Sequence, residues 1–147
     1  MSVEDALAFV DTNVVLYAYD GSAGQRHRQA ARLLGELGAS RRGAFSVQVL
    51  QEFYVNATRK IAKPLDHRAA TERLRALSRW PVHRPAAKDV LDAAELAAAH
   101  QLSFWDAMIL TSARALGCTT VWSEDLNNGQ RFGDVTVRNP FSGSSVS

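Results

Sequence analysis

Two rhythms of apolar residues alternate along the chain. The first is a short unbroken run, ALAFVD at residues 6–11, which reads as a buried strand stopping at an acid. TNVVLYAYD follows as a helical turn, and Asp20-Gly21-Ser22 breaks the pattern. From Gln25 to Leu37, Ala30, Leu33, Leu34 and Leu37 recur at helical spacing, with Arg26, Arg28, Gln29 and Arg32 among the polar positions. Gly38 and Gly43 punctuate a loop before a second strand, AFSV. Ser46 then caps a helix over VQVLQEFYVNATRK. Its core stripe is Leu50, Phe53, Tyr54, Ala57 and Ile61, and its opposite side gathers Gln48, Glu52, Asn56 and Arg59.

Pro64 closes that helix, and Asp66 caps the next, whose apolar positions are Ala70, Leu74 and Leu77. WPVH is a short strand or an extended link. An alanine-rich helix is expected from Ala86 to His100, and another from Phe104 to Leu116, ended by Gly117. CTTVWS is a β-branched strand, Asn128-Gly129 a turn, DVTV a last strand and SGSSVS a frayed tail. Short strands alternating with amphipathic helices predict an α/β fold on a mainly parallel sheet. No repeat and no long linker divides the chain, so one domain is expected over residues 1–142, with a flexible tail at 143–147.

Composition narrows the classes. The 147 residues are long enough to bury a core, and no apolar stretch approaches the roughly 20 residues of a membrane span. Acids ahead of the first apolar run are wrong for a secretory signal, so a cytoplasmic location is expected. The single cysteine, Cys118, leaves no internal disulfide and no cysteine-cluster metal site, and reads as a buried structural residue. His27, His67, His83 and His100 lack the close pairing of zinc motifs; His27 and His100 are read as surface residues. Trp80, Trp105 and Trp122 can stack on bases, but indoles in apolar runs belong in cores, where Trp105 and Trp122 are expected.

Charge sharpens the picture. The net +2 conceals a basic segment: residues 26–88 hold 14 of the 17 Lys and Arg against four acids. The flanks, 1–25 and 89–147, each carry −4. A basic face beside a separate store of carboxylates fits an anionic partner, although basic helices also simply solvate a surface.

In a parallel sheet the working crevice lies beyond the carboxyl ends of the strands. Asp11 ends the first strand, Asp125 follows TTVWS, Asp106 opens a helix, and Glu52 lies on the polar side of the helix after AFSV. Four carboxylates can therefore meet without a local motif. Like charges gather only where something offsets them, usually a proton or a metal ion, and hard divalent ions take oxygen ligands. Such ions assist hydrolysis of phosphodiesters. Each acid also has a plainer explanation. Asp11 can cap the helix at Thr12, Ser103-Phe104-Trp105-Asp106 is a capping-box pattern, Glu52 can be a solvated helix residue, and SEDLNNG is turn-forming.

FVDTNVVLYAYD, VLQEF, LSFWDAMIL and TTVWSEDLNNGQ, with NPF near the end, occur in an order that resembles a PIN domain. More narrowly the chain is similar to the VapC-type toxins of bacterial toxin–antitoxin pairs, over about residues 7–141. The resemblance implies a three-layer α/β sandwich, usually dimeric, and a Mg²⁺- or Mn²⁺-dependent endoribonuclease leaving 5′-phosphate and 3′-hydroxyl ends. It puts metal-binding and catalytic acids at Asp11, Glu52, Asp106 and Asp125, with Glu124 beside the last, and supporting hydrogen bonds at Thr12, Asn13 and Ser123. RNA is the implied substrate and a small antitoxin the implied partner. Arg26, Arg32, Arg59 and Lys60 are candidate phosphate contacts.

Other readings fit less well. An aspartyl phosphatase wants a second Asp where Asn13 stands, and a dinucleotide enzyme wants glycines that Asp11–Leu16 lacks. The rival from another class is a non-catalytic module of the same fold that binds RNA or protein. All four filled acid positions count against it.

Overall fold

A computed structural model describes residues 6–141. The tail expected at 143–147 lies outside the described residues. Six strands form one sheet: β1 (Ala8–Val10), β2 (Gly43–Ser46), β3 (Val82–His83), β4 (Thr120–Trp122), β5 (Arg131–Phe132) and β6 (Val135–Arg138). Their order across the sheet is β3-β2-β1-β4-β6-β5. Every pairing is parallel except β5 against β6. The helices that flank it are α1 (Thr12–Tyr19), α2 (Gln25–Ser40), α3 (Val47–Arg59), α4 (His67–Leu77), α5 (Ala87–His100) and α6 (Phe104–Ala115). A mainly parallel α/β sandwich was expected, and that is the architecture found.

β1 is central because it is covered on both faces. Ala8, Phe9 and Val10 are all buried, and Phe9 pairs with Ala44 of β2 on one side and Val121 of β4 on the other. An unbroken apolar run suits such a strand, whereas alternation would suit a half-exposed one. The chain leaves β1 toward β2 and later returns to place β4 on its opposite side, so the order of strands reverses at β1. Crevices open at such reversals, beyond the strands' carboxyl ends.

Most helix boundaries obey local chemistry. Ser46 accepts the Val49 N–H at the start of α3, Asp66 accepts that of Ala69 before α4, and Ser103 accepts that of Asp106 before α6. α6 ends as its composition demands: Gly117 takes φ +74°, and the Cys118 N–H reaches back to the Ala113 carbonyl. Along α6, seven consecutive residues from Ala107 to Ala113 are buried, because the helix lies on the sheet and α5 covers it. Small residues make that close approach feasible: Ala93 of α5 packs with Ala107 and Met108 of α6.

Two details depart from expectation. β5 was not foreseen; it pairs antiparallel with β6 across Gly133, whose φ is +63°. Two residues are too few to show a period. In α3 the inward stripe is Val49, Phe53 and Ala57, with Leu50 and Tyr54 half-buried, and Ile61 lies past the end of the helix. The stripe is turned by about one residue because α4 and α1 both pack against this helix.

Trp80 fills the edge of the sheet near Gly43. Its ring stacks on Phe45 at 4.8 Å between centroids, and a methyl group added to Gly43 would overlap it. Gly43→Ala should therefore destabilise the protein by about 1–3 kcal/mol, as overpacking does. Gly35→Ala, inside α2 with nothing within 4 Å, should stabilise it by about 0.5–1 kcal/mol. Urea midpoints of the two variants moving in opposite directions would bear this out.

Candidate active site

The four predicted acids meet. Asp11 follows β1, Glu52 lies on α3, Asp106 in the first turn of α6 and Asp125 in the loop after β4. All four line one cleft of about 180 Å³, with Thr12, Asn13, Leu16, Gln48, Asn56, Trp105 and Ile109. They come from positions as far apart as 11 and 125, joined by the reversal of strand order at β1.

Asp11 is the buried member, 6% exposed, and both its oxygens are engaged. Oδ1 accepts the Thr12 N–H at 2.8 Å, so Asp11 does cap α1. Oδ2 accepts the Ser123 hydroxyl at 2.8 Å, a bond from the end of β1 to the end of β4. The same Ser123 oxygen accepts the Asp125 N–H at 3.1 Å, which holds the loop carrying Asp125. On the other side, the Thr12 hydroxyl donates to Glu52 Oε1 at 2.8 Å. Thr12 and Ser123 thus link three of the four acids. Asn13 accepts the Glu124 N–H at 3.4 Å, while its own Nδ2 is buried without a partner among the described residues.

Reading the acids alone missed part of this cleft. Gln48 Nε2 contacts Glu52 Oε1 and the Trp105 carbonyl, each at 3.4 Å, bridging α3 to the start of α6. Gln48 and Asn56 flank Glu52 on the polar side of α3, a stripe visible in the sequence from which Glu52 alone was assigned to the acid site. Trp105 was expected in the core and is instead 62% exposed; Trp122 is half-buried. In the first turn of α6 it is Phe104 that packs on the core, and the next residue, Trp105, stands beside the cleft.

The four cations singled out for phosphate contact fall elsewhere. Arg26 Nε sits 2.6 Å from Glu124 Oε2, and Tyr17 donates its hydroxyl to the other oxygen of that carboxylate at 3.0 Å. Tyr17 in turn packs edge-on against Phe141, 5.3 Å between centroids. Glu124 is therefore turned toward α1 and α2, and Asp125 is the residue of that pair lining the cleft. Arg32, Arg59 and Lys60 are exposed, and none of the four lines the cleft. His27 is half-buried, its ring 3.0 Å from the Tyr17 carbonyl, and His100 is exposed. Burial pushes the Cys118 thiol up to about 12, which keeps it protonated and inert as a structural residue should be.

The chemistry of the lining suits a hard divalent ion. Its donors are carboxylate, hydroxyl and amide oxygens, and no Lys or Arg lines the cleft to offset four acids. Among the described residues no three His, Cys, Asp or Glu side chains close into a ready-made cage. The acids ring the cleft rather than clasp a point, as mutually repelling carboxylates do.

A model of the PIN domain matches residues 8–131. The chain belongs to the PIN domain family. No curated protein matches it significantly. Among solved structures, this PIN domain resembles a toxin–antitoxin complex from Klebsiella pneumoniae, with a TM-score of 0.69 and 19% identity over 90% of this chain and 97% of that one. It also resembles VapC20 of Mycobacterium tuberculosis, described as a toxin cleaving the sarcin–ricin loop: TM-score 0.62, 26% identity, covering 80% and 91%. The DNA-bound VapBC complex of Salmonella typhimurium matches at TM-score 0.65 and 16% identity over 92% and 98%. Among the described residues no helix is long and apolar enough to cross a membrane.

Asp11 gives this cleft a measurable signature. Burial pushes its carboxyl up from the ordinary 3.8 to about 6, against the pull of the Ser123 and Thr12 hydrogen bonds; the charges of Asp125 and Glu52 add to the rise. A raised acid favours the folded state when protonated, below about pH 4, and that advantage is lost as pH climbs through about 6. Asp11→Asn is neutral throughout, and Ser123 can turn its hydroxyl to accept. In EDTA the variant should be more stable than wild type at pH 8, by up to roughly 3 kcal/mol, and the gap should close below pH 4. Thermal melts across that range provide the check; parallel curves would refute it.

Proposed function

We propose that this protein is a VapC-type toxin: an endoribonuclease that hydrolyses RNA phosphodiester bonds with Mg²⁺ or Mn²⁺ held by Asp11, Glu52, Asp106 and Asp125. The observation that carries the reading is the meeting of these four acids, distant in sequence, in one cleft free of fixed cations. Membership in a family of nucleases supports the reaction class. Likeness to toxins solved alone and in complexes supports the toxin role, with an antitoxin as partner; a homodimer is the working form we propose. An RNA substrate fits a cytoplasmic location.

The chain's own residues would divide the work. Asp11 is fixed by two hydrogen bonds and offers a carboxylate whose burial makes its charge costly without a nearby cation. Glu52 is aimed by Thr12, and Asp125 by the Ser123 turn. Asp106 is held by its place in the first turn of α6, whose Ser103 cap binds its N–H. A divalent ion bound among them would neutralise the scissile phosphate and favour ionisation of an attacking water. The exposed Arg32, Arg59 and Lys60 remain available to a phosphate backbone outside the cleft.

Purified protein incubated with total cellular RNA tests this. Discrete products are expected with Mg²⁺ or Mn²⁺ and none with EDTA. Asp106→Asn should lower the rate on the order of 100-fold or more, the scale of losing one group that stabilises developing charge. Mg²⁺ should also raise the melting temperature of the wild type, because it binds the folded state. Equal cleavage by wild type and variant would trace the activity to a contaminant. No cleavage and no thermal shift would favour the non-catalytic module.

A further inference from the structure

Trp105 has no packing reason to be where it is. An indole that is 62% exposed keeps a large apolar face in water, yet it sits one residue before Asp106 and lines the same cleft as the acids. Its position is also held. The Phe104 ring meets it edge-on at 5.1 Å and is itself packed on the Ala93–Ala107–Met108 cluster between α5 and α6. The Trp105 carbonyl accepts from Gln48, which also contacts Glu52. The residue is thus tied to the acid-bearing helix on one side and to the core on the other.

A ligand that suits this place needs an apolar planar face within reach of an oxygen-rich cleft that takes a cation. A phosphodiester flanked by bases has both. We infer that the Trp105 indole is the platform on which an unpaired nucleobase next to the scissile phosphate stacks. The inference rests on the nuclease reading above. Bases in a duplex already stack on their neighbours, whereas those of loops and single strands can be splayed onto an aromatic side chain. A protein partner is the less favoured occupant, because the indole is not part of a broad apolar face. The exposed Val55 of α3 lines a groove with Thr71 and Leu74 of α4, and Val90 and Leu91 lie near the far end of α5, about 14 Å along that helix from the α5–α6 connection.

The test uses the full chain as wild type, Trp105→Phe and Trp105→Ala. Binding in EDTA is read from the anisotropy of a labelled single-stranded RNA 10-mer pool and from indole emission, with an RNA duplex alongside. Trp105→Ala should bind the single strand about 5- to 100-fold more weakly, Trp105→Phe within a few-fold of wild type, and the duplex should not distinguish the three. Wild-type emission should change on adding the single strand, and that change should be lost in Trp105→Phe and Trp105→Ala. With Mg²⁺, the cleavage defect of Trp105→Ala should appear in KM and shrink at saturating RNA. If wild type cleaves and Trp105→Ala binds and cleaves equally well, the stacking role is overturned while the nuclease reading stands. If wild type neither cleaves nor shows a Mg²⁺-dependent thermal shift, that reading fails and the inference falls with it. Loss of a dimer in Trp105→Ala with RNA affinity unchanged would assign the indole to self-association instead.

Discussion

The bond from the Ser123 hydroxyl to the Asp11 carboxylate joins the ends of two neighbouring parallel strands at the place where the sheet changes direction. Much of the cleft depends on it. Asp11 is nearly inaccessible, so its oxygens must be satisfied within the protein, and the two donors available are the first N–H of α1 and this hydroxyl. Ser123, committed to Asp11, also anchors the Asp125 N–H. A single buried acid thereby orients the start of a helix and the turn that follows a strand.

The remaining acids are placed by different means, and the difference matters. Asp106 rides on a helix with seven consecutive buried residues, so its position is inherited from the core. Glu52 sits on the outer side of α3 and depends on Thr12 and Gln48 for its direction. Asp125 is exposed, and the backbone bond to Ser123 holds the turn that carries it. Rigidity therefore falls from Asp11 and Asp106 toward Asp125. A cleft built this way combines fixed walls with one adjustable edge, a useful compromise where mutually repelling groups must approach a cation.

Much of this was legible in the sequence because it rests on local rules. The run ALAFV, the caps Ser46, Asp66 and Ser103, and the stop at Gly117 each mark a boundary through chemistry confined to a few residues. That four acids could converge was legible from two strand ends, one helix start and the polar side of α3, while their joint assignment came from the order of motifs that resembles a PIN domain. Long-range choices were not. Asp125 was preferred to Glu124 only through the resemblance, and it is the three-dimensional position of Arg26 and Tyr17 that turns Glu124 away from the cleft. Trp105 looks apolar like its neighbours in SFWDAMIL; its exposure depends on which face of the first turn of α6 meets the core, and Phe104 takes that face. β5 pairs two residues with a neighbour and carries no pattern of its own.

The sheet ends on β3 at one border and β5 at the other, each two residues long. Edge strands expose unpaired backbone groups that can template further strands, and brevity is one way proteins blunt them. Neither border gives an incoming strand enough ladder to add to. Assembly by extending the sheet is therefore disfavoured, both as productive binding and as aggregation. Companions of this protein are therefore expected on its helices, its loops or an open face of the sheet, and not along the strand borders.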